Sequence, residues 1–474
     1  MSFKSDAAYH LGSWASSLRL DDLPGEVRLA ARHCLMDVIG VALAASNHPT
    51  VSMAGRHAGN VFASGKAQTV LGGLPLSAPG AALVNATAAH VLDFDDTCFD
   101  GIVHASAAVW PAVQAVADMT NSSGAELLAA FIAGVEVEYA IGRALTEDLY
   151  YRGWWNSGLL GTIGAAAGVA RVLGLDAPTS AHALRLAAGM SGGIRSVFGA
   201  SSKPVGLGRA SRAGVEAALL AQGGFVSSYG LFESPNGGFA ATLNGGNWKQ
   251  EEILKIGRHF SLVSPGIAFK SYPACSANQA AVEATLLLLN EAACDGASVV
   301  AAACTVTPLV AACLTYNRPS CIEEAQFSLP FAVGTALAKG QFDVSCLNEH
   351  WLMDTGLQAA MQKVTMTADV SLSGGNSNYP EAAEVALTFA NGSLLKKFLG
   401  AATGMPTRPM SQDKLVAKFK SCTQPLLGDH SETLLWQILE IERQPIASNL
   451  WNLRAERHLS PPSQAIGQLH RSGR

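Results

Sequence analysis

Charge is scarce in this sequence. Lys, Arg, Asp and Glu make up 15% of its 474 residues, against 49% hydrophobic residues. So apolar a chain is expected to lay much of its exterior against another subunit. The net charge of −5 gives no electrostatic basis for holding nucleic acid or an anionic membrane. An anionic ligand would have to be held by local Lys and Arg clusters. None of the nine cysteines is spaced Cys-x-x-Cys, which argues against a zinc site or disulfide framework and for free thiols in a reducing cytoplasm. Walker A and His-Glu-x-x-His patterns are absent too, which removes the commonest nucleotide-hydrolase and zinc-peptidase signatures. Met1–Trp14 holds no apolar run of signal-peptide length. Glu136, Glu138 and Arg171 interrupt the later apolar stretches before they reach membrane-span length.

What is present is helical periodicity. Ala, Leu and Val recur at helical spacing over Glu26–Ala45, Ala78–Leu92, Ala105–Asn121, Ala125–Leu145, Gly161–Leu173, Ser180–Met190 and Arg209–Gln222. A Gly, Ser and Asn-rich stretch over 224–247 reads as a long loop crossing to a second domain. Beyond it, Val299–Val306, Val364–Val370, Glu384–Phe389 and Leu394–Phe398 have strand character, with Asn391-Gly392 as a two-residue hairpin turn. Ala277–Asn290 and Gln326–Leu337 fit helices, and the pattern turns helical again over Asp413–Ser421 and Glu432–Leu439. The fold class is therefore mainly α. Residues 1–264 with 404–459 form a large all-α domain, 265–403 form a smaller inserted α+β domain, and 460–474 form a disordered tail. There is no internal repeat.

Four clusters carry candidate chemistry. His90, Asp93, Asp95, Asp96, Asp100 and His104 crowd fifteen residues in a chain short of charge. They fit three readings: a metal site, acid–base machinery around His104 or a lysine, or a solvated, capped loop. Lys203, Arg209 and Arg212 accompany Gly206 and Gly208 at a helix start, where cations need an anionic partner: a substrate carboxylate or Glu216. Lys270-Ser-Tyr-Pro-Ala-Cys275 and Tyr316-Asn-Arg318-Pro are the other two. Cys275 has no histidine near it in sequence and reads as a buried thiol. Gly189-Met-Ser191-Gly-Gly matches Gly-x-Ser-x-Gly by letter, yet follows a helix, whereas a nucleophile elbow needs a strand before it.

His90–Thr97 (HVLDFDDT), with His104-Ala105-Ser106 and Pro111 behind it, resembles the signature of the MmgE/PrpD family. Gly153–Leu173, Lys203–Gly214, Lys270–Cys275 and Tyr316–Phe331 are similar to later blocks in the same order, over roughly Leu20 to Gly428. The resemblance implies a homodimer of two-domain subunits that needs neither metal nor organic cofactor. It implies a small anionic carboxylate substrate in a pocket between the domains, and no nucleic-acid or membrane partner. Known members dehydrate 2-methylcitrate, decarboxylate cis-aconitate or epimerise iminodisuccinate. By position it implies His104, Lys203, Lys270, Tyr316, Asp93 and Thr97 as the active-site set. On the residues themselves, Arg209 and Arg318 are expected to clamp substrate carboxylates and Thr97 to hydrogen-bond one. Asp93 would orient the base.

Three positions depart from the family pattern: Trp155 and Gly206 stand where histidines often occur, and Ala105 replaces a proline. Histidine passes protons best near neutral pH, so these losses favour epimerisation of an iminodisuccinate-like acid over dehydration and decarboxylation. A metal-dependent hydrolase built on His90, Asp93, Asp96 and His104, and a non-catalytic carboxylate-binding protein, are the rival classes.

Overall fold

The computed structural model describes residues 6–73, 75–146, 148–373 and 379–446. The fold is mainly α. The helices Gly25–Ala44, Ala78–Val91, Ala105–Thr120, Gly124–Leu145, Asn156–Val172, Ala177–Met190 and Ser202–Gln222 pack around one core. The helices Gln412–Leu427 and His430–Leu439 return to that core, with Phe419 and Cys422 packed over Gly40. Among the described helices of ten residues or more, two escaped the periodicity, Ala7–Ser17 and Pro49–Val61, as did shorter ones such as Thr355–Gln362. The first begins where the Asp6 carboxylate accepts the Tyr9 N–H at 2.8 Å. Gly124–Leu145 is started by a capping box, in which Ser123 Oγ accepts from the Glu126 amide while Glu126 Oε2 accepts from the Ser123 amide at 2.8 Å.

The central helices are buried on every side, and Ala78–Val91 has no exposed residue. Small residues let their axes approach. A Cβ on Gly208 would collide with the Leu83 carbonyl and the Thr87 hydroxyl, so Ser202–Gln222 lies directly against Ala78–Val91. That contact brings the start of one helix beside the end of the other.

The smaller part is a four-stranded sheet in the order Val364–Ala368, Val299–Val306, Ala383–Phe389, Leu394–Leu399. The first pair is parallel and the other two are antiparallel. Ala383, Val385, Leu387 and Phe389 alternate inward, and the helices Gln279–Glu291 and Leu329–Lys339 share their core. The hairpin turn is one residue longer than the Asn-Gly pair suggests. Phe389 N–H donates to the Ser393 carbonyl at 2.9 Å around Ala390, Asn391 and Gly392, with Gly392 at φ 84°.

The 224–247 stretch does not cross between domains. It folds back on the helical core, because Phe232 and Phe239 are buried there and Phe232 stacks on Trp248. The expected disordered tail, 460–474, lies outside the described residues. All nine cysteines are free. Among the described residues no single helix is long and apolar enough to cross a membrane.

Candidate active site

A cavity of about 540 Å³ opens between the helical part and the sheet part. Asp93, Thr97, His104, Trp155 and Lys203 line it from one side, and Cys275, Thr307, Cys313, Glu381 and Met405 from the other. Its chemistry begins where Ala78–Val91 ends. The chain leaves the helix at Asp93, whose φ of 47° turns it sharply into the acidic loop. The loop is then pinned to the domain junction by paired backbone bonds between Thr97 and Ala268, both 2.9 Å.

Asp93 is buried and holds two ammonium groups. Lys203 Nζ donates to Oδ2 at 2.7 Å, and Lys270 Nζ donates to Oδ1 and, at 2.7 Å, to the Asp93 carbonyl. Burial pushes the carboxyl group up, but Lys203 and Lys270, with smaller help from His104 and His90, outweigh it and hold it well below the usual carboxylate range. Lys270 shows the reverse balance. Burial disfavours its ammonium, yet Asp93 and Asp95 hold it above the ordinary lysine value. One carboxylate between two ammonium groups leaves one net positive charge at the cavity floor.

His104 starts the helix Ala105–Thr120 and its backbone N–H donates to Ser157 Oγ at 3.0 Å. Its Nδ1 lies 3.1 Å from Asp95 Oδ2, 3.0 Å from the Asp96 carbonyl and 3.4 Å from Thr97 Oγ1. The sequence suggested Asp93 for this place, but its two oxygens are occupied by the lysines, and the carboxylate beside His104 Nδ1 is that of Asp95. His90 is fully buried beside it. Its Nδ1 sits 2.9 Å from Asp95 Oδ2, and its ring lies 4.6 Å from His104 and stacks on Trp155 at 5.8 Å. Burial lowers its pKa to about 4, with Asp95 opposing.

The metal constellation expected as a rival does not assemble. Asp93 is taken by lysines, and Asp96 turns away to accept from Ser106 Oγ at 2.5 Å. Burial, then Asp37 and Asp95, push Asp96 up to about 8. His90, Asp95 and His104 do place one ligand atom each within 4.8 Å of one another, but they are already each other's hydrogen-bond partners.

Thr97, Lys203 and His104 thus meet at the cavity, with Lys270 behind Asp93. Tyr316, Arg209 and Arg318 do not reach it. The Tyr316 hydroxyl donates to the Phe198 carbonyl at 2.9 Å and lies over Gly199. Arg318 is exposed. Arg209 is not at a helix start, since the helix begins seven residues earlier at Ser202. Its guanidinium serves the carbonyls of Met190 at 3.1 Å, Gly158 at 3.0 Å and Gly192. Arg212 takes the Glu216 alternative at 3.4 Å. Ser191 Oγ donates to the Ala188 carbonyl at 2.8 Å, which binds it to its own helix end.

Trp155 and Gly206, the two departures from the family pattern, belong together. A Cβ on Gly206 would come within 3.0 Å of Trp155 Cζ3, so the large ring is accommodated by the missing side chain. Glu381 had no sequence signal. It sits just before a strand on the far wall, where Ser276 Oγ donates to Oε1 and Oε2 has no hydrogen-bond partner among the described residues. Burial pushes it up to about 7, with Ser276 and Lys270 opposing.

A cavity between a mainly helical part and a small mixed sheet, floored by a lysine–aspartate–lysine triad beside a histidine, has groups that can attract an anion and exchange a proton. The chain belongs to the MmgE/PrpD family: the family's N-terminal domain matches residues 9–251 and its C-terminal domain residues 272–441. Among curated relatives, the chain is 28% identical to a cis-aconitate decarboxylase of Aspergillus terreus over 59% of its own length and 60% of that enzyme's. It is 25% identical to the cis-aconitate decarboxylases of Homo sapiens and Mus musculus over 90% of its own length, covering 89% and 88% of theirs.

Proposed function

We propose that this chain is an enzyme that moves a proton at a carbon beside the carboxylates of a small di- or tricarboxylate. The observation that carries the reading is the juxtaposition of Lys203, Lys270 and Asp93 with His104 in one cavity. The net positive charge attracts and orients a carboxylate, and Thr97 offers it a hydroxyl. The apolar walls of Phe198, Phe327 and Met405 lower the local dielectric and strengthen both interactions. His104 Nε2 is the proton carrier.

Decarboxylation of a cis-aconitate-like acid is the outcome that the relatives support. In that reaction the C–C bond to one carboxylate breaks, carbon dioxide leaves, and the electron pair stays on carbon, delocalised towards a neighbouring carboxylate. Protonated His104 then delivers its proton to that carbon. Epimerisation of an iminodisuccinate-like acid, which the lost histidines favour, uses the same carrier in the neutral form to remove a proton first. No curated relative named above supports that variant, and dehydration of a 2-methylcitrate-like acid stands behind both. Incubation with cis-aconitate in deuterium oxide is expected to release carbon dioxide and place one deuterium on the product. Deuterium exchange into iminodisuccinate without loss of carbon would instead select epimerisation, and no change in cis-aconitate, iminodisuccinate or 2-methylcitrate would refute the proposal.

Glu381 gives this site a pH dependence. As pH rises through about 7, its carboxyl gains a negative charge in the field of Lys270 and Asp93, which opposes an anionic substrate. The affinity for cis-aconitate is expected to fall roughly three- to tenfold between pH 6 and pH 8. In Glu381→Gln that part of the slope should be flat, measured by calorimetric titration at constant ionic strength.

A further inference from the structure

His90 and His104 reach one carboxylate from two elements, a helix end and a helix start. We propose that Asp95 is the positioning residue for the proton-carrying histidine: a carboxylate shared by two imidazoles, which fixes His104 as its Nδ1–H tautomer and leaves Nε2 as the basic atom in the cavity. This deepens the reading of His104 as the proton carrier and rests on it.

The acceptor count around His104 requires that tautomer. Within 3.4 Å of Nδ1 lie Asp95 Oδ2, the Asp96 carbonyl oxygen and Thr97 Oγ1. A carbonyl cannot donate and an ionised carboxylate cannot donate. An unprotonated Nδ1 there would face two acceptors with a lone pair, in a site where unmet polar groups are costly. Nδ1 therefore carries the hydrogen, and the carrier atom is Nε2.

His90 completes the arrangement by saturating Asp95. Its Nδ1 lies 2.9 Å and 3.1 Å from the two carboxylate oxygens, and its Nε2 is buried with no hydrogen-bond partner among the described residues. Burial in the apolar wall against Trp155 keeps this ring neutral, so it serves as a fixed donor and does not compete for the proton. Asp95 is itself fully buried. Burial pushes its carboxyl up, and the two rings outweigh that and hold it well below the ordinary value. A carboxylate already receiving two N–H donors is a poor proton acceptor. When His104 Nε2 gains a proton, the resulting imidazolium is stabilised by Asp95 and does not pass its Nδ1 proton on. Asp37 and Lys270 lie within the field of Asp95, Asp93 with Lys203 faces His104, and Asp96 beside them is neutral near pH 7.

The tautomer can be read without any substrate, so the outcome is independent of whether turnover is found. Protein grown with ring-¹⁵N histidine is titrated by NMR, and the His104 signals are assigned by their loss in His104→Gln. The wild type is expected to show His104 as a single Nδ1–H tautomer. In Asp95→Asn the side chain offers one oxygen and one NH₂ group to the two rings, and His90, which lies against both positions, can keep the oxygen, so the NH₂ turns to His104 Nδ1. The Nε2–H tautomer of His104 should then appear. His90→Phe releases Asp95 for His104 alone and keeps the Nδ1–H tautomer. A carboxylate that only holds the loop together would lower stability in both variants and leave the tautomer unmoved. That result overturns the assignment, as does an Nε2–H signal for His104 in the wild type, which decides the question even if Asp95→Asn fails to fold.

Discussion

His104→Gln is expected to lower kcat for cis-aconitate by about 10²–10⁴-fold, the range that a positioned acid–base group contributes, while KM changes only severalfold. The split follows from the geometry. The cationic triad that attracts a carboxylate lies on Asp93, and His104 takes no part in that ion pairing. Gln keeps roughly the volume of the ring and can still donate to the Asp95 side, so the cavity should keep its shape. It cannot exchange a proton near neutral pH. Single-turnover measurement of carbon dioxide release separates this from slow product departure. A kcat within tenfold of the wild type would pass the carrier role to another proton donor on the cavity wall, Lys203 or Glu381. The opposite split, a raised KM at constant kcat, would make His104 a carboxylate ligand instead.

How far such a site can be read from sequence depends on the range of the contacts that build it. The acidic loop was legible because His90, Asp93, Asp95 and His104 are neighbours in sequence and costly in so apolar a chain. Which carboxylate served which partner was not. Lys203 and Lys270 reach Asp93 across 110 and 177 residues, and only the packed fold decides that they claim both of its oxygens and leave the histidines to Asp95. The start of the helix carrying Lys203 was misplaced for a related reason. Pro204, Gly206 and Gly208 weaken local helix propensity, yet Gly208 is what permits the close approach to Leu83 and Thr87, so tertiary packing overrides the local preference. Arg209 looked like an anion clamp because it was assigned to that false start. Within the helix it reaches only backbone carbonyls. Glu381 carried no spacing signal at all, being a single acid ahead of a strand. The sheet strands were legible from alternation, as in Ala383–Phe389, whereas Pro49–Val61 is capped by His48, whose ring and not a Ser, Thr, Asp or Asn side chain accepts the Thr50 N–H, so the usual N-cap signal did not mark it.

Asp93→Asn is expected to cost about 3–5 kcal/mol of folding stability, the range for breaking a buried ion pair by removing one partner, and to abolish tight carboxylate binding. Asn offers one neutral oxygen to two buried ammonium groups. Burial, the largest influence on Lys270, then has Asp95 and Cys275 against it but no longer the Asp93 carboxylate, and the ammonium should give up its proton more readily. A cavity floor that held one net positive charge through a fixed salt bridge becomes an unsatisfied amine beside Lys203. The net charge is then unchanged, but Lys203 has lost the carboxylate that fixes it at the cavity, so affinity for cis-aconitate should drop by roughly 10- to 100-fold, the worth of one well-placed charge-assisted hydrogen bond, measured by calorimetric titration. The pH dependence gives a second check. In the native protein the Asp93 carboxyl titrates below its unfolded value, so its contribution is fully present above about pH 4 and fades only as pH falls through the lower, folded value. Lys270 titrates above its unfolded value, so its contribution is fully present below about pH 10 and fades as pH rises through the higher, folded value. Urea denaturation should therefore find the wild type ahead of Asp93→Asn by a margin that is largest near about pH 5 and narrows gradually towards about pH 9, as the variant's Lys270 sheds its proton. A margin that collapses near pH 7 would mean that a histidine, not the lysine pair, is the principal partner of Asp93.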